Sequence, residues 1–178
     1  MARTIAASID WLNDVVGRTV SWLTLFMVLV QFALVIMRYV FGVGSILVQE
    51  SLIYAHGTLF MLAAGYTLLL DGHVRVDIFY RGASPRGKAL TDLFGVIFLL
   101  APFCILMWVA SLPYVLASWS VFEGSRETSG LPAVFLLKSV ILAFVVLIAL
   151  QGLSLAIKSV LVLVGASPTA APGRHPEA

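Results

Sequence analysis

The stretch that decides the fold is residues 19–37, "TVSWLTLFMVLVQFALVIM", which lies between Arg18 and Arg38 and contains no charged side chain. A helix needs ~20 apolar residues to cross the roughly 30 Å hydrocarbon core of a bilayer. The run is continuously apolar and lacks the alternation that is typical of a barrel strand. It therefore predicts a membrane-spanning helix.

Three further runs repeat this pattern: 51–70, 93–122 and 128–157, the last interrupted only by Lys138. They predict an all-α integral membrane protein with four transmembrane helices at about 19–41, 51–70, 93–117 and 132–160. We expect the two prolines of the third run, Pro102 and Pro113, to bend or shorten its helix.

Composition excludes a soluble domain, because only 11% of the residues are charged and the mean hydropathy is +1.04. The net charge is +2 and no basic run indicates nucleic-acid binding. Cys104 is the only cysteine, which rules out an intramolecular disulfide and a cysteine-based metal site.

Residues 1–18 predict an amphipathic lead-in that either lies on the membrane surface or extends the first span. Between the first two spans, Phe41 to Gly44 should end a helix, and a short interfacial helix is expected before the second span. The four-helix membrane domain should then cover 19–162. The Pro-, Ala- and Gly-rich tail, 163–178, is expected to be disordered.

Positive charges predict the orientation. With the N-terminus inside, eight Lys and Arg residues are cytoplasmic and three lie on the opposite side, which is a clear positive-inside bias. The cytoplasmic set is Arg3, Arg18, Arg75, Arg81, Arg86, Lys88, Lys158 and Arg174, and the opposite set is Arg38, Arg126 and Lys138. Both termini should therefore be cytoplasmic.

Few polar groups lie within the spans, and none predicts chemistry. His56 has no second intramembrane His, Asp or Glu with which to form a proton relay or a metal or haem site, so a neutral, hydrogen-bonded histidine is favoured. Gln31 and Gln151 are interpreted as interhelical hydrogen-bonding groups, and Lys138 and Lys158 as residues that reach the two interfaces. We predict no catalytic, substrate-binding or metal-binding residue, no cofactor and no enzyme activity.

Charges of both signs follow the second span in "DGHVRVDIFYRG", 71–82. In a helix His73, Asp77 and Arg81 would be four residues apart on one face, whereas in an extended chain His73, Arg75 and Asp77 would share one side. The stretch is either a solvated loop that sets topology or a docking surface. At the opposite end, Glu50 is either hydrated or paired with a cation of a partner.

Four segments, "RYVFG", "QESLIYAHGTLFMLAAGY", "DGHVRVDIFY" and "SGLPAVFLL", together resemble the small membrane subunit of tripartite ATP-independent periplasmic (TRAP) transporters, over roughly residues 10–160. The resemblance implies a bacterial inner-membrane scaffold for a large permease subunit. That subunit takes up an organic anion with a sodium gradient, and a periplasmic protein delivers the anion. Membrane lipids are the remaining partners.

The same resemblance marks Gln49 and Glu50, and His73, Arg75 and Asp77 with Arg81 nearby, as candidate subunit-interface or loop-ordering residues. A small four-helix multidrug exporter is the first rival, but it requires an acidic residue in the first span, which is absent. A membrane anchor of a redox complex is the second, and it requires paired intramembrane histidines.

Overall fold

A computed structural model describes residues 1–73, 80 and 82–166. The prediction of an all-helical membrane protein is confirmed: four helical segments of the described chain are long and apolar enough to span a bilayer. The elements are α1 (Ala2–Val40), α2 (Ile46–Leu69), α3 (Pro85–Gly95), a π-helical segment (Val96–Leu100), α4 (Ala101–Ser120) and α5 (Val134–Leu163). The third span consists of α3, the π-helical segment and α4.

The first helix is continuous from Ala2 to Val40, so the lead-in extends the first span. Gly42, with φ +68°, turns the chain in a conformation that favours glycine. Ser45 then caps α2, because its hydroxyl accepts a hydrogen bond from the backbone N–H of Val48 at 3.4 Å. The stretch expected to form a separate interfacial helix instead supplies the first turns of α2.

The third span remains helical through both of its prolines. Pro102 has no N–H to offer the carbonyl four residues earlier. The chain accommodates this with the π-helical segment directly before it, where the Ala101 N–H bonds the carbonyl of Val96 five residues back. Pro113 lies inside α4, which continues to Ser120.

Helix α5 is the centre of the arrangement. It packs against α1, α2 and each part of the third span, whereas the described backbone of the third span does not approach α1 or α2. Cys104 of α4 and Val145 and Ile148 of α5 form a small buried core, and Ala64 and Leu68 of α2 pack against it. Most other large apolar side chains face outward, as expected for a protein surrounded by lipid.

Helices α1 and α2 are in unusually close contact at two glycines. A Cβ added at Gly17 would lie 2.2 Å from the Tyr66 ring, and one at Gly65 would lie 2.1 Å from the Asn13 Oδ1. Each helix thus presents a glycine to a larger side chain of the other. Such small residues are a common means of close helix packing in membranes.

The two ends of the bundle have different contents. At one end, called the terminal end, the Arg3 guanidinium donates a hydrogen bond to the carbonyl of Ala166 beyond α5. The opposite end, called the loop end, carries the α1–α2 and α4–α5 connections. The tail prediction for 167–178 lies outside the described residues.

Candidate functional site

Glu50 lies in the first turns of α2 and binds the α4–α5 connection. The Ser125 hydroxyl donates to its Oε1, and the backbone N–H of Leu131 donates to its Oε2 at 2.6 Å. One turn further along α2, the Tyr54 hydroxyl donates to the carbonyl of Leu131 at 3.4 Å. We call Glu50 with Ser125 and Leu131 the loop anchor. Sequence reasoning left Glu50 between hydration and a partner's cation, and the structure supplies these contacts within the chain.

Gly130 allows the loop anchor to close. A Cβ at this position would lie 2.6 Å from the Glu50 Oε2 and 2.3 Å from the Ser125 hydroxyl oxygen. Gln49, which precedes Glu50 on α2, is exposed and lines a different surface, between the end of α1 and the start of α2. The two residues that the sequence paired therefore point to different surroundings.

A second set of contacts fixes the start of the α4–α5 connection, at Glu123. Glu123 forms an ion pair with Lys138 of α5, and the Ser118 hydroxyl donates to the Glu123 Oε2 at 2.7 Å. The Lys138 ammonium and then the Ser118 hydroxyl lower the pKa of the Glu123 carboxyl below its usual range. The Lys138 Nζ also lies 4.0 Å from the centroid of the Tyr114 ring. Lys138, interpreted as an interfacial residue, is thus also a partner for this loop.

At the terminal end, α1 and α5 share a network that we call the polar cluster: Asp10, Asn13, Gln151, Ser154 and Lys158. The Asn13 Nδ2 donates to the Gln151 Oε1 at 2.9 Å, and the Gln151 Nε2 donates to the Asp10 Oδ1 at 3.0 Å. The Ser154 hydroxyl donates to the Asp10 Oδ1 at 2.7 Å, and the Lys158 Nζ lies 2.6 Å from the Asp10 Oδ2.

The polar cluster is well shielded at its centre, because Asn13 is 1% exposed, Gln151 2% and Ser154 0%. The predicted interhelical hydrogen bond of Gln151 is present. Sequence reasoning missed Asp10, Asn13 and Ser154, although a signal existed. Asp10 and Asn13 share one helical face, as do Gln151, Ser154 and Lys158, at spacings of three or four residues.

The cytoplasmic motif is only partly described. His73 is exposed in a bend after α2, whereas Arg75, Asp77 and Arg81 lie outside the described residues. Nearby, the Tyr80 hydroxyl donates to the Asp92 Oδ2 of α3 at 2.9 Å, and the Lys88 Nζ lies 5.3 Å from the Tyr80 ring centroid. The prediction that the motif orders a loop or docks a partner stays a prediction.

His56 faces outward from α2, and its ring stacks on Phe60 with centroids 6.3 Å apart. Within the described part of the chain, no group of three or more His, Cys, Asp or Glu side chains could hold a metal ion.

The polar side chains described above thus bind other parts of the same chain: they join α1 to α5 and fix the α4–α5 connection. The model of the family "Tripartite ATP-independent periplasmic transporters, DctQ component" matches residues 27–161. The chain belongs to this family. The match covers all of α2, the third span and nearly all of α5, and thus identifies a multi-pass inner-membrane component of a tripartite transporter.

The DctQ match begins at residue 27, so it includes the loop anchor but not Asp10 or Asn13 of the polar cluster. Searches of curated proteins and of solved structures gave no match.

Proposed function

We propose that this chain is the small membrane subunit that scaffolds the large permease subunit of a TRAP transporter. In that assembly a periplasmic protein delivers an organic anion, and the large subunit takes it up with a sodium gradient. The observation that carries the proposal is the DctQ match across 27–161, which includes all four spans in part or whole.

The distribution of acidic residues supports a scaffold. The apolar runs 19–37, 51–70, 93–122 and 128–157 contain no Asp or Glu with which to coordinate sodium or couple its movement to a substrate. Three carboxylates outside these runs, Asp10, Glu50 and Glu123, are bound by groups of the same chain. Substrate and sodium sites are therefore assigned to the large subunit.

We propose further that both termini are cytoplasmic, which places the loop end, with Glu50 and Glu123, in the periplasm. The positive-inside bias supports this, and the Arg3–Ala166 hydrogen bond agrees with both ends lying on one side. A reporter fusion at Gly82 should be active only as a cytoplasmic reporter, and one at Thr128 only as a periplasmic one. Alkaline phosphatase activity at Gly82 would reverse the orientation.

The functional test is sodium-driven uptake in liposomes that contain the large subunit, with and without this chain, with the periplasmic binding protein supplied outside. Uptake should require both membrane subunits, and this chain alone should transport no organic anion. Sodium-driven uptake by this chain without its partner would contradict the scaffold role.

The charged motif after α2 is proposed to order a loop against the large subunit. Arg75→Ala or Asp77→Ala should then weaken retention of the large subunit on a tagged small subunit in detergent, because removing one partner of a buried ion pair costs roughly 3–5 kcal/mol. Arg86→Ala is the control, because Arg86 is exposed at the start of α3. If all three variants retained the large subunit and took up the anion nearly as well as wild type, the motif would serve only to set the membrane topology.

A further inference from the structure

A cleft separates the end of α1 from the start of α2 at the loop end of the bundle. It has a volume of about 400 Å³. Polar side chains of Gln31, Arg38, Tyr39, Ser45 and Gln49 contribute to its lining, together with apolar Leu34, Val35 and Ile46. Its polar lining belongs to residues that the loop anchor does not use.

An apolar groove continues from this cleft along the same two helices towards the middle of the membrane. It has a volume of about 690 Å³ and shares Gln31 and Val35 with the cleft. Its other lining residues are Met27, Val28, Phe32, Leu52, Ile53 and His56. From Arg38 to Met27 the helix rises roughly 16 Å at 1.5 Å per residue. That length is about half of the roughly 30 Å hydrocarbon core, or one leaflet.

The polar end of this surface is electropositive. Arg38 forms no hydrogen bond or ion pair with any described residue, and no Asp or Glu lines either the cleft or the groove. The nearest carboxylate in sequence, Glu50, is directed to the loop anchor, where both of its oxygens are bound. An unpaired guanidinium beside amide and hydroxyl groups is suited to a phosphate group, which it can bind through two parallel N–H donors.

We propose that the cleft and groove together form a binding site for one phospholipid with a net negative head group. Its phosphate is bound by Arg38 with Gln49 and Tyr39 as neutral hydrogen-bonding neighbours, and one acyl chain lies along Phe32 and Ile53. The combination of a charged end and an apolar end one leaflet long distinguishes a lipid from a free anion. The lack of a lining carboxylate disfavours head groups that carry an ammonium beside the phosphate, because that ammonium would find no counter-charge.

The experiment is native mass spectrometry of the full chain in detergent, titrated with phosphatidylglycerol, and separately with phosphatidylcholine and phosphatidylethanolamine. Phosphatidylglycerol should bind with a stoichiometry of one and more tightly than the two zwitterionic lipids. Arg38→Gln should weaken this binding about tenfold, the expected loss for one charge-assisted contact, while Arg38→Lys should retain part of it. Arg126→Gln removes an exposed arginine of the α4–α5 connection and should bind like wild type. Circular dichroism checks that the variants remain folded.

Two further measurements separate a lipid from the other occupants. Ile53→Trp fills the groove but leaves Arg38 in place, and it should weaken phosphatidylglycerol binding. Inorganic phosphate at millimolar concentration should not compete. Equal binding by Arg38→Gln and wild type, equal binding of all three lipids, or displacement by phosphate would each overturn the proposal. So would loss of the lipid when the large subunit is co-purified, because that result assigns the cleft to a segment of the partner.

Discussion

At the loop end Glu50 binds a hydroxyl and a backbone N–H of a connection, whereas at the terminal end Asp10 binds side chains of a neighbouring helix. Glu50 has two such partners and Asp10 has three, and the loss of each carboxylate has a different consequence. Loss of the first releases a loop, whereas loss of the second leaves the Gln151 amide N–H and the Lys158 ammonium without their partner. Ser154 then keeps only its longer hydrogen bond to the Ala6 carbonyl. Unpaired buried donors cost more than a missing hydrogen bond, so the terminal end should be the more sensitive to substitution.

The largest effect is expected from Asp10→Ala. It removes the acceptor of Gln151 and Ser154 and the counter-charge of Lys158, whose side chain is 33% exposed. We expect a loss of about 2–3 kcal/mol, less than for a fully buried pair, in equilibrium unfolding in mixed micelles followed by circular dichroism.

The matched control for Asp10 is Asp14→Asn, one turn further along α1. Asp14 pairs with Arg18 at 2.9 Å, but the Arg18 side chain is 71% exposed, so little stability should be lost. Equal losses in the two variants would show that the polar cluster contributes no more than a surface ion pair, and the contrast between the two ends would disappear.

Gly65→Ala tests whether the polar cluster depends on close approach of α1 and α2. The new methyl carbon would lie 2.1 Å from the Asn13 Oδ1 and 3.2 Å from the carbonyl oxygen of Leu147, so a helix has to shift. Overpacking of this kind typically costs about 1–3 kcal/mol.

Gly57→Ala on the same helix is the control for Gly65. A Cβ at this position would lie 3.1 Å from Cδ1 of the flexible Leu137 side chain, so a smaller loss is expected. The measurement is the same unfolding experiment. A greater loss of stability in Gly57→Ala than in Gly65→Ala would show that the more important helix contact lies nearer the loop end.

At the loop end, Glu50→Gln should release the α4–α5 connection with little effect on the bundle. The variant loses charge-assisted hydrogen bonds from Ser125 and Leu131, each worth roughly 1.5–3 kcal/mol. Hydrogen exchange of the Leu131 amide should accelerate about tenfold or more, while amides of α5 near Gln151 exchange as in wild type. Glu127→Gln, at an exposed position of the same loop, should change neither. Unchanged exchange at Leu131 in Glu50→Gln would exclude a role for Glu50 in ordering this loop.

The smallest effect is expected from the pH dependence of the Glu123–Lys138 pair. Because folding lowers the Glu123 pKa, its contribution to stability is complete above the ordinary carboxyl range and is lost as pH falls through the lowered pKa. Wild type should therefore lose slightly more stability on acidification than Glu123→Gln. Parallel pH profiles for the two proteins, measured by thermal unfolding, would mean that the pair does not contribute.

The four membrane-spanning helices could be predicted from the sequence alone, because an uncharged run as long as 19–37 is typical of a helix that crosses a bilayer. It also identified Gln151 as an interhelical group, since an amide within a membrane helix needs a partner. The response to Pro102 was harder to predict, because a helix can bend, end or insert a π turn to accommodate the missing N–H.

The partners of the polar groups were not predictable in the same way. Glu50 and Leu131 are far apart in sequence, and only the packing of α2 against α5 brings the α4–α5 connection to the carboxylate. From the sequence, Asp10 belongs only to the amphipathic lead-in, because its partners lie on α5. Periodicity reports which face of a helix is apolar, but it does not report which helix that face meets.

The central position of α5 also sets the order of events during synthesis. Of the described helices it is the last to leave the ribosome, and at about 5–20 residues per second it follows α2 by on the order of ten seconds. During that interval Asp10 and Asn13 have no Gln151, Ser154 or Lys158 to bind, and the third span has no described neighbour to pack against. The nascent chain is therefore a packed α1–α2 pair and a separate third span, which α5 joins at the end. A chain that stops before Val134 would lack α5, the helix that joins these spans into one domain. Asp10 and Asn13 would then have no partner on α5, and membrane proteases should degrade such a chain.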